Sequence, residues 1–244
     1  MPKTRREERR EQTIAEIRQR AWAQIAAGGP EGLSLRAISR EMRMSSPALF
    51  RYFPNRNALL TALIQEAFRL AGEAMAQAVQ AAPDDPRRRI QAACLAYRDW
   101  GIHHPEKYAL IYGSPVAGYS PDWAVYLAEA QQSLGLIVEQ LAQAWQSGAL
   151  RLPTAPLPAS LVAQLDEIVS QRGMGVPARI LYDAITGWTR LHGIVSLEIF
   201  GHLGPLLPDL AAFYQAAVDD LLAQAGYPAP SGPSRPAQVR ESES

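Results

Sequence analysis

The stretch LSLRAISREMRMSSPALFRYF, residues 33–53, constrains the fold of this chain more than any other. Ser34 is placed to cap a two-turn helix through its hydroxyl, and Leu35, Ile38 and Met42 follow at helical spacing as an inward face. Met44 plugs the turn from below. Ser45 or Ser46 caps a second short helix, and Pro47 falls in its first turn, where a missing N–H costs nothing. Leu49 and Phe53, four apart, make its buried stripe. Helix, three-residue turn and second short helix together have helix-turn-helix spacing.

Apolar residues recur at three and four through almost all of the chain, no alternating strand pattern occurs, and proline or glycine punctuates the joins, so the expected class is all-α. The sequence predicts helices over Arg9 to Ala27, Ser34 to Met42, Ser46 to Phe53, Asn57 to Ala82, Arg87 to His103 and Pro105 to Tyr112. Four more are expected over Pro121 to Gly148, Ala159 to Gln171, Pro177 to His202 and Pro208 to Ala225. The division that follows is a helix-turn-helix domain over residues 1–56, a helical C-terminal domain over 57–225, and a proline-rich, disordered tail over 226–244.

Net charge is zero over 244 residues, yet residues 1–60 hold twelve Lys/Arg against six Asp/Glu. An excess of about +6 at one end points to an anionic partner there. The second helix of the motif would turn Ala48, Phe50, Arg51 and Tyr52 outward, where they can enter a major groove of double-stranded DNA. Ser34, Ser45 and Ser46 offer hydroxyls to phosphates or base edges beside Pro47, and Ala48 with Phe50 can meet a thymine methyl. Arg51 is the candidate for a guanine contact. Arg36, Tyr52 and Arg56 suit phosphates, contacts that set register and weaken with salt. Taken singly, each arginine is equally well a solvated surface charge. The arm Lys3 to Arg10 either reaches a minor groove or stays solvated.

Phe50 to Leu60, read together with the preceding turn, resembles the aromatic-rich junction of the TetR family of regulators. The likeness spans about residues 9–63 and departs from the family pattern twice. Arg43 stands where glycine is usual, which requires a near-left-handed backbone at a cost of about 1 kcal/mol. Arg56 replaces the usual lysine and keeps its charge. The run Ala184 to Glu198 resembles the Trp/His-Gly signature of one C-terminal subclass of that family. What the resemblance implies is a homodimer on a near-palindromic operator, more in keeping with a repressor than an activator, released by a small-molecule effector. It also implies a dimer face that includes Gly187, Trp188, His192 and Val195. Trp188 and His192, four apart on one helix face, either pack or touch ligand. Gly187 and Gly193 inside a helix suggest close approach of another helix.

Tyr97, Trp100, Tyr108, Tyr112, Trp123, Tyr126 and Trp145 gather the large polar-tipped aromatics where an effector cavity would be lined, and few basic residues fall among them. A moderately apolar, partly aromatic effector suits that composition. Enzyme chemistry has no motif here: Gly173-Met174-Gly175 stands alone, and no P-loop or nucleophile elbow occurs. His192 and His202 lie about 280° apart round a helix, so neither they nor the single Cys94 suggest a metal, and no cofactor is called for. Neither a signal peptide nor a membrane span is expected, and a reduced cytoplasm fits. The rival reading is a helical adaptor whose helix-turn-helix does not read DNA.

Overall fold

The computed structural model describes residues 4–120 and 123–227, with side chains placed except over 123–131. Its helices are α1 Arg5–Gly28, α2 Leu35–Glu41, α3 Ser46–Phe50, α4 Arg56–Ala81, α5 Pro86–His103, α6 Pro105–Tyr112, α7 Trp123–Gln146, α8 Ala159–Gln171, α9 Ala178–Ile199 and α10 Leu210–Gln224. A single 3-10 turn, Pro30–Gly32, joins α1 to α2, and there is no strand among the described residues.

Capping chemistry sets the helix starts. Thr4 and Glu7 form a reciprocal capping box: the Glu7 amide donates to Thr4 Oγ1 at 3.3 Å, and the Thr4 amide donates to Glu7 Oε2 at 2.8 Å. That box starts α1 four residues before the expected Arg9, so Arg5 to Arg10 form its first turns rather than an extended arm. Ser34, Asn55, Asp85 and Asp209 each accept a backbone N–H at the head of α2, α4, α5 and α10. Proline follows Asp85 in the first position of α5, where its fixed φ suits the helix.

Helices α1 to α3 close on Ile17, Ala21, Ile25, Ile38 and Leu49, and the first turns of α4 bring Leu59, Leu60 and Leu63 into that core. Later turns of the same helix bury Phe68, Ala71, Met75 and Val79 where α4 packs on α5 and α7. The division expected after residue 56 therefore falls at the head of a helix that serves both cores. Between α5 and α9 the closest approach is at Gly101, where a Cβ would meet Tyr108, Val195 and Ile199 at 3.1–3.2 Å. Arg98 of α5 pairs with Glu198 of α9, both largely buried, and the Tyr214 hydroxyl of α10 donates to the Cys94 carbonyl at 2.9 Å. At the end of α10, Gly226 takes φ +104°, and a Cβ there would overlap the Arg151 carbonyl. Tyr227 is thereby buried, so the tail expected from 226 begins no earlier than 228, and residues 228–244 lie outside the described part.

The turn between α2 and α3 confirms the backbone expected at Arg43, whose φ of 53° is the one positive value of a non-glycine among the described residues. The Met44 amide closes the turn by donating to the Ser39 carbonyl at 2.9 Å. Replacing Arg43 with glycine relieves the contact between Cβ and the following carbonyl. The expected outcome of Arg43→Gly is a gain of about 0.5–1 kcal/mol, read from the urea midpoint at constant m-value. A lowered midpoint would mean that the arginine side chain stabilises the turn by more than its backbone costs.

Candidate nucleic-acid interface and interior cavity

Helix α3 presents two unlike faces because Leu49 and Phe53 turn into the core while Phe50 and Arg51 turn out. Leu49 is fully buried, whereas Phe50 keeps 38% of its surface exposed. The helix is shorter than expected and ends at Phe50, but Arg51 retains helical φ/ψ and the Tyr52 and Phe53 amides both donate to the Leu49 carbonyl. The outward geometry of Arg51 is thus that of one more helical residue. Ser34 is spent on its cap, accepting from the Ala37 amide at 3.3 Å. Ser45 sits at the N-cap position of α3 with no capping bond from its side chain, and Ser46 lies 3.5 Å from Ser39. Pro47 is exposed; Ala48 and Tyr52 are half-buried.

Arg36, Arg40, Arg43 and Arg51 are all exposed, and none has an ion-pair or hydrogen-bonding partner among the described residues. Four exposed guanidinium groups without a partner among the described residues thus fall within the helix-turn-helix. Arg40 and Arg43 were missed as site residues by sequence reasoning, which weighed Arg43 only for its backbone; their place in the motif was the available signal. Arg56 differs from expectation. Its Nη2 donates to the Pro30 carbonyl at 2.7 Å, which fastens the head of α4 to the α1–α2 link and leaves Arg56 less free to contact phosphate.

Behind α4 lies a cavity of about 390 Å³. Met75 of α4, Ile90, Cys94 and Tyr97 of α5, Ile137 and Leu141 of α7, and the facing sides of α9 and α10 line it. Of the aromatics expected there, Tyr97 is in the wall, while Trp100, Tyr108 and Tyr112 pack beside it. Trp145 stands at the surface away from the cavity, because its side of α7 faces solvent. Trp123 and Tyr126 lie outside the residues with described side chains. Gly187 and Trp188, expected at a dimer face, also line the cavity, and Trp188 keeps part of its surface exposed. Sequence reasoning missed Arg179, Tyr182, Asp183, Thr186 and Arg190, one stripe of α9. The expected scarcity of basic residues does not hold, since two of these are arginines. An Arg–Asp pair at i, i+4 in the helix was the signal that pointed there.

His192 joins three helices at the cavity's edge. The Tyr97 and Tyr108 hydroxyls lie 2.8 and 3.0 Å from its Nδ1, and the Tyr108 hydroxyl lies 2.7 Å from Ser196 Oγ. Trp188 stacks on the imidazole at 4.9 Å between centroids, and Tyr112 meets it edge-on at 4.6 Å. Burial lowers the pKa of His192 below its usual 6.5 and raises those of Tyr97 and Tyr108. The neutral imidazole, with Nδ1 as acceptor, satisfies this arrangement. Val195, one turn on, is 0% exposed and packed at Gly101, so it has no surface left for a second chain. A Cβ added at Gly187 or Gly193 would meet nothing within 4 Å among the described residues beyond their own helix backbone, so no helix of this chain presses on either glycine. The large apolar side chains that α9, α10 and their link expose are Trp188, Leu197, Phe200, Leu206 and Phe213.

Comparison with known proteins agrees at both ends of the chain. Residues 17–63 match the model of bacterial regulatory proteins of the tetR family, and residues 90–221 match a tetracyclin repressor-like C-terminal domain. The HTH-type transcriptional regulators Mb1846 of Mycobacterium bovis and Rv1816 of Mycobacterium tuberculosis are 31% identical over 225 residues, covering 90% of this chain and 94% of theirs. The crystal structure of a regulatory protein, SCO4313, superposes with a TM-score of 0.74 at 33% identity, covering 90% of this chain and 100% of that one. No helix among the described residues is long and apolar enough to cross a membrane.

The lowered pKa of His192 has a stability consequence of definite sign. Below pH 6.5 the unfolded chain binds a proton that the folded chain resists, so stability falls as pH drops through that value toward the depressed folded pKa. His104 shifts in the same direction through its own burial. Denaturant midpoints between pH 7 and pH 5 are expected to decline, and His192→Asn to remove part of the decline while His104 keeps the rest. An unchanged slope in that variant would assign the whole effect elsewhere.

Proposed function

This chain belongs to the TetR family of bacterial transcriptional regulators, and from that premise we propose that it is a homodimeric repressor released from its operator by a small molecule bound in the cavity. The observation that carries the reading is the exposed surface of the motif: Phe50 on α3, Arg36 and Arg40 on α2, Arg43 in the turn and Arg51 just after α3, none of the four arginines with an ion-pair partner among the described residues. In this reading Arg51 donates to a guanine, Phe50 and Ala48 meet a thymine methyl, and Ser45, Ser46 and Tyr52 fix register on phosphates. Arg36, Arg40 and Arg43 supply counterion-releasing contacts that are blind to sequence. Arg56, tied to Pro30, acts mainly by holding α4 in place.

Two copies put two α3 helices into successive major grooves about one helical turn apart, which calls for a near-palindromic site. The dimer face is drawn from Leu197, Phe200, Leu206 and Phe213, since exposed apolar groups of this size on two adjacent helices are costly in a monomer. Release needs a mechanical link from cavity to reading head, and α4 supplies one, with Met75 in the cavity wall and Asn55 capping the end next to α3. A second link runs through α6, whose Lys107 ammonium lies 5.0 Å over the Trp22 ring of α1. A helical adaptor with a non-reading motif is the competing account, but four unpaired arginines on the motif's outer face disfavour it.

Mobility shift against the intergenic DNA beside the protein's own coding region, with scrambled duplex as competitor, tests the whole reading. Specific retardation at dimer stoichiometry is expected, with affinity falling steeply in salt. Arg51→Ala should cost on the order of 1–3 kcal/mol on the specific site and little on the scramble. Affinity no better than for scramble, with no salt dependence, would favour the adaptor. In sedimentation analysis, Phe200→Glu is expected to shift the protein toward monomer; an unaltered dimer would move the interface off this face.

A further inference from the structure

The first turns of α1 have no core beneath them. Residues 4–12 are exposed, half-burial begins at Thr13, and Ile17 is the first buried side chain, so the helix overhangs the body by about 12 Å. Charge on this overhang is sorted by sign. On a helical wheel started at Arg5, the side chains of Arg5, Arg6, Arg9 and Arg10 fall within about 140°, whereas Glu7, Glu8 and Glu11 fall at about 200–300°. The i, i+4 pairs Arg5–Arg9, Arg6–Arg10 and Glu7–Glu11 all join like charges, an arrangement that weakens a helix in water. Glu8 and Glu7 stand at i, i+3 from Arg5 and Arg10, yet none of the four arginines has an ion-pair partner among the described residues.

The later turns of α1 fix where each face points. Arg20 and Gln24, at about 60° and 100° on the same wheel, meet the Glu41 carboxylate at the end of α2 at 3.5 and 3.4 Å. The Ser34 amide at the head of α2 donates to Gln24 Oε1 at 2.9 Å. Arg18 and Trp22, at about 220° and 260°, meet Glu66 of α4 at 3.5 and 3.4 Å. The basic face therefore lies on the side of α2, which carries the exposed Arg36 and Arg40, and the acidic face lies on the side of α4 and α6.

We propose, resting on the DNA-binding reading above, that the overhang of α1 is a second DNA contact: Arg5, Arg6, Arg9 and Arg10 lie along phosphates on the α2 side of the motif, and the acidic face is held away from the duplex. A helix about 10 Å across does not enter a minor groove about 6 Å wide, so the arginines touch backbone and not base edges. Phosphates recur about every 3.4 Å along a strand, and an overhang of about 12 Å spans three or four of them, in keeping with four guanidinium groups. The sorting of charge that costs the free helix stability is then the sorting that a polyanion on one side requires. An anionic membrane does not suit the same surface, because residues 5–12 hold no apolar side chain to bury in it.

The test follows binding of the purified full chain to two labelled duplexes, the intergenic fragment and its scramble, by fluorescence anisotropy between about 50 and 200 mM salt. The fourfold variant Arg5→Gln/Arg6→Gln/Arg9→Gln/Arg10→Gln is expected to make the slope of log K against log salt shallower by about 3 per subunit on both duplexes. The ratio of the two affinities is expected to stay within about twofold of the parent's, since phosphate contacts carry no sequence information. Glu7→Gln/Glu8→Gln/Glu11→Gln, in which glutamine preserves the capping box, is expected to leave the slope unchanged. An unaltered slope in the arginine variant overturns the proposal and leaves a solvated face. A steeper slope in the glutamate variant also overturns it, because bulk charge and not orientation then draws the overhang to DNA. So does a changed ratio between the duplexes, which would make the contact one to bases. Salt-independent binding of both duplexes by the parent removes the DNA-binding reading itself. Should the fourfold variant lose helix by circular dichroism, Arg5→Gln/Arg6→Gln and Arg9→Gln/Arg10→Gln decide separately, each expected to remove about half of that slope change.

Discussion

The burial of α4 along its whole length is the constraint on which the rest of this molecule depends. Nine of its side chains, from Leu59 to Val79, are buried, and they belong in turn to the core beneath the helix-turn-helix and to the core around the cavity. A helix packed at both ends behaves as a rod, because interiors are close-packed and do not deform continuously. Neither half of the protein can then take up a new position relative to α4 without repacking several fully buried leucines, each worth about 2 kcal/mol in transfer free energy alone. Displacement of Met75 by a ligand is cheaper to relieve by moving the rod than by bending it. Asn55 and Arg56 hold the far end, the first by capping and the second by its bond to Pro30, so that movement arrives at α3 with little loss.

The cluster on His192 is what makes the cavity's edge sensitive. One imidazole touches residues of α5, α6 and α9, and its Nδ1 stands within hydrogen-bonding distance of two tyrosine hydroxyls. Trp188, stacked on the same ring, is also a wall residue of the cavity. A ligand that shifts Trp188 therefore disturbs the polar network around His192, and α6, whose Lys107 lies over the Trp22 ring, connects that network to α1. Both α4 and α6 converge on the reading head, which gives the cavity two mechanical routes rather than one.

Most of the fold is legible in the sequence because periodicity, caps and breakers agree with one another. The span of α8 matches its expectation at both ends, and α5 and α9 match within three residues, since proline or an Asx cap marks their starts. The motif's inward and outward faces are equally plain, as Leu49 and Phe53 lie on one side and Phe50 with Arg51 on the other. What composition conceals is which pairs of helices meet. Aromatic content between positions 97 and 145 suggested the cavity, yet the polar wall comes from Arg179, Asp183 and Thr186 on a helix far along the chain. Val195 looked like an interface residue within a resembling motif, but α9 buries it completely against Gly101 of α5. A helical wheel shows that residues share a face; only tertiary packing says what that face meets.

Arg43 shows how such a chain can carry a residue that its own backbone disfavours. The left-handed turn costs about 1 kcal/mol against glycine, a small sum beside the apolar burial of α1 to α4. In exchange the turn gains an exposed guanidinium between α2 and α3, one of four, with Arg36, Arg40 and Arg51, that have no ion-pair partner among the described residues. A phosphate contact contributes through counterion release regardless of sequence, so under the proposed function that charge would strengthen all DNA binding alike and leave discrimination to Arg51 and Phe50. In the proposed reading, stability surrendered at the turn is recovered as affinity on the operator, the order of priorities expected where function rather than folding selects the residue.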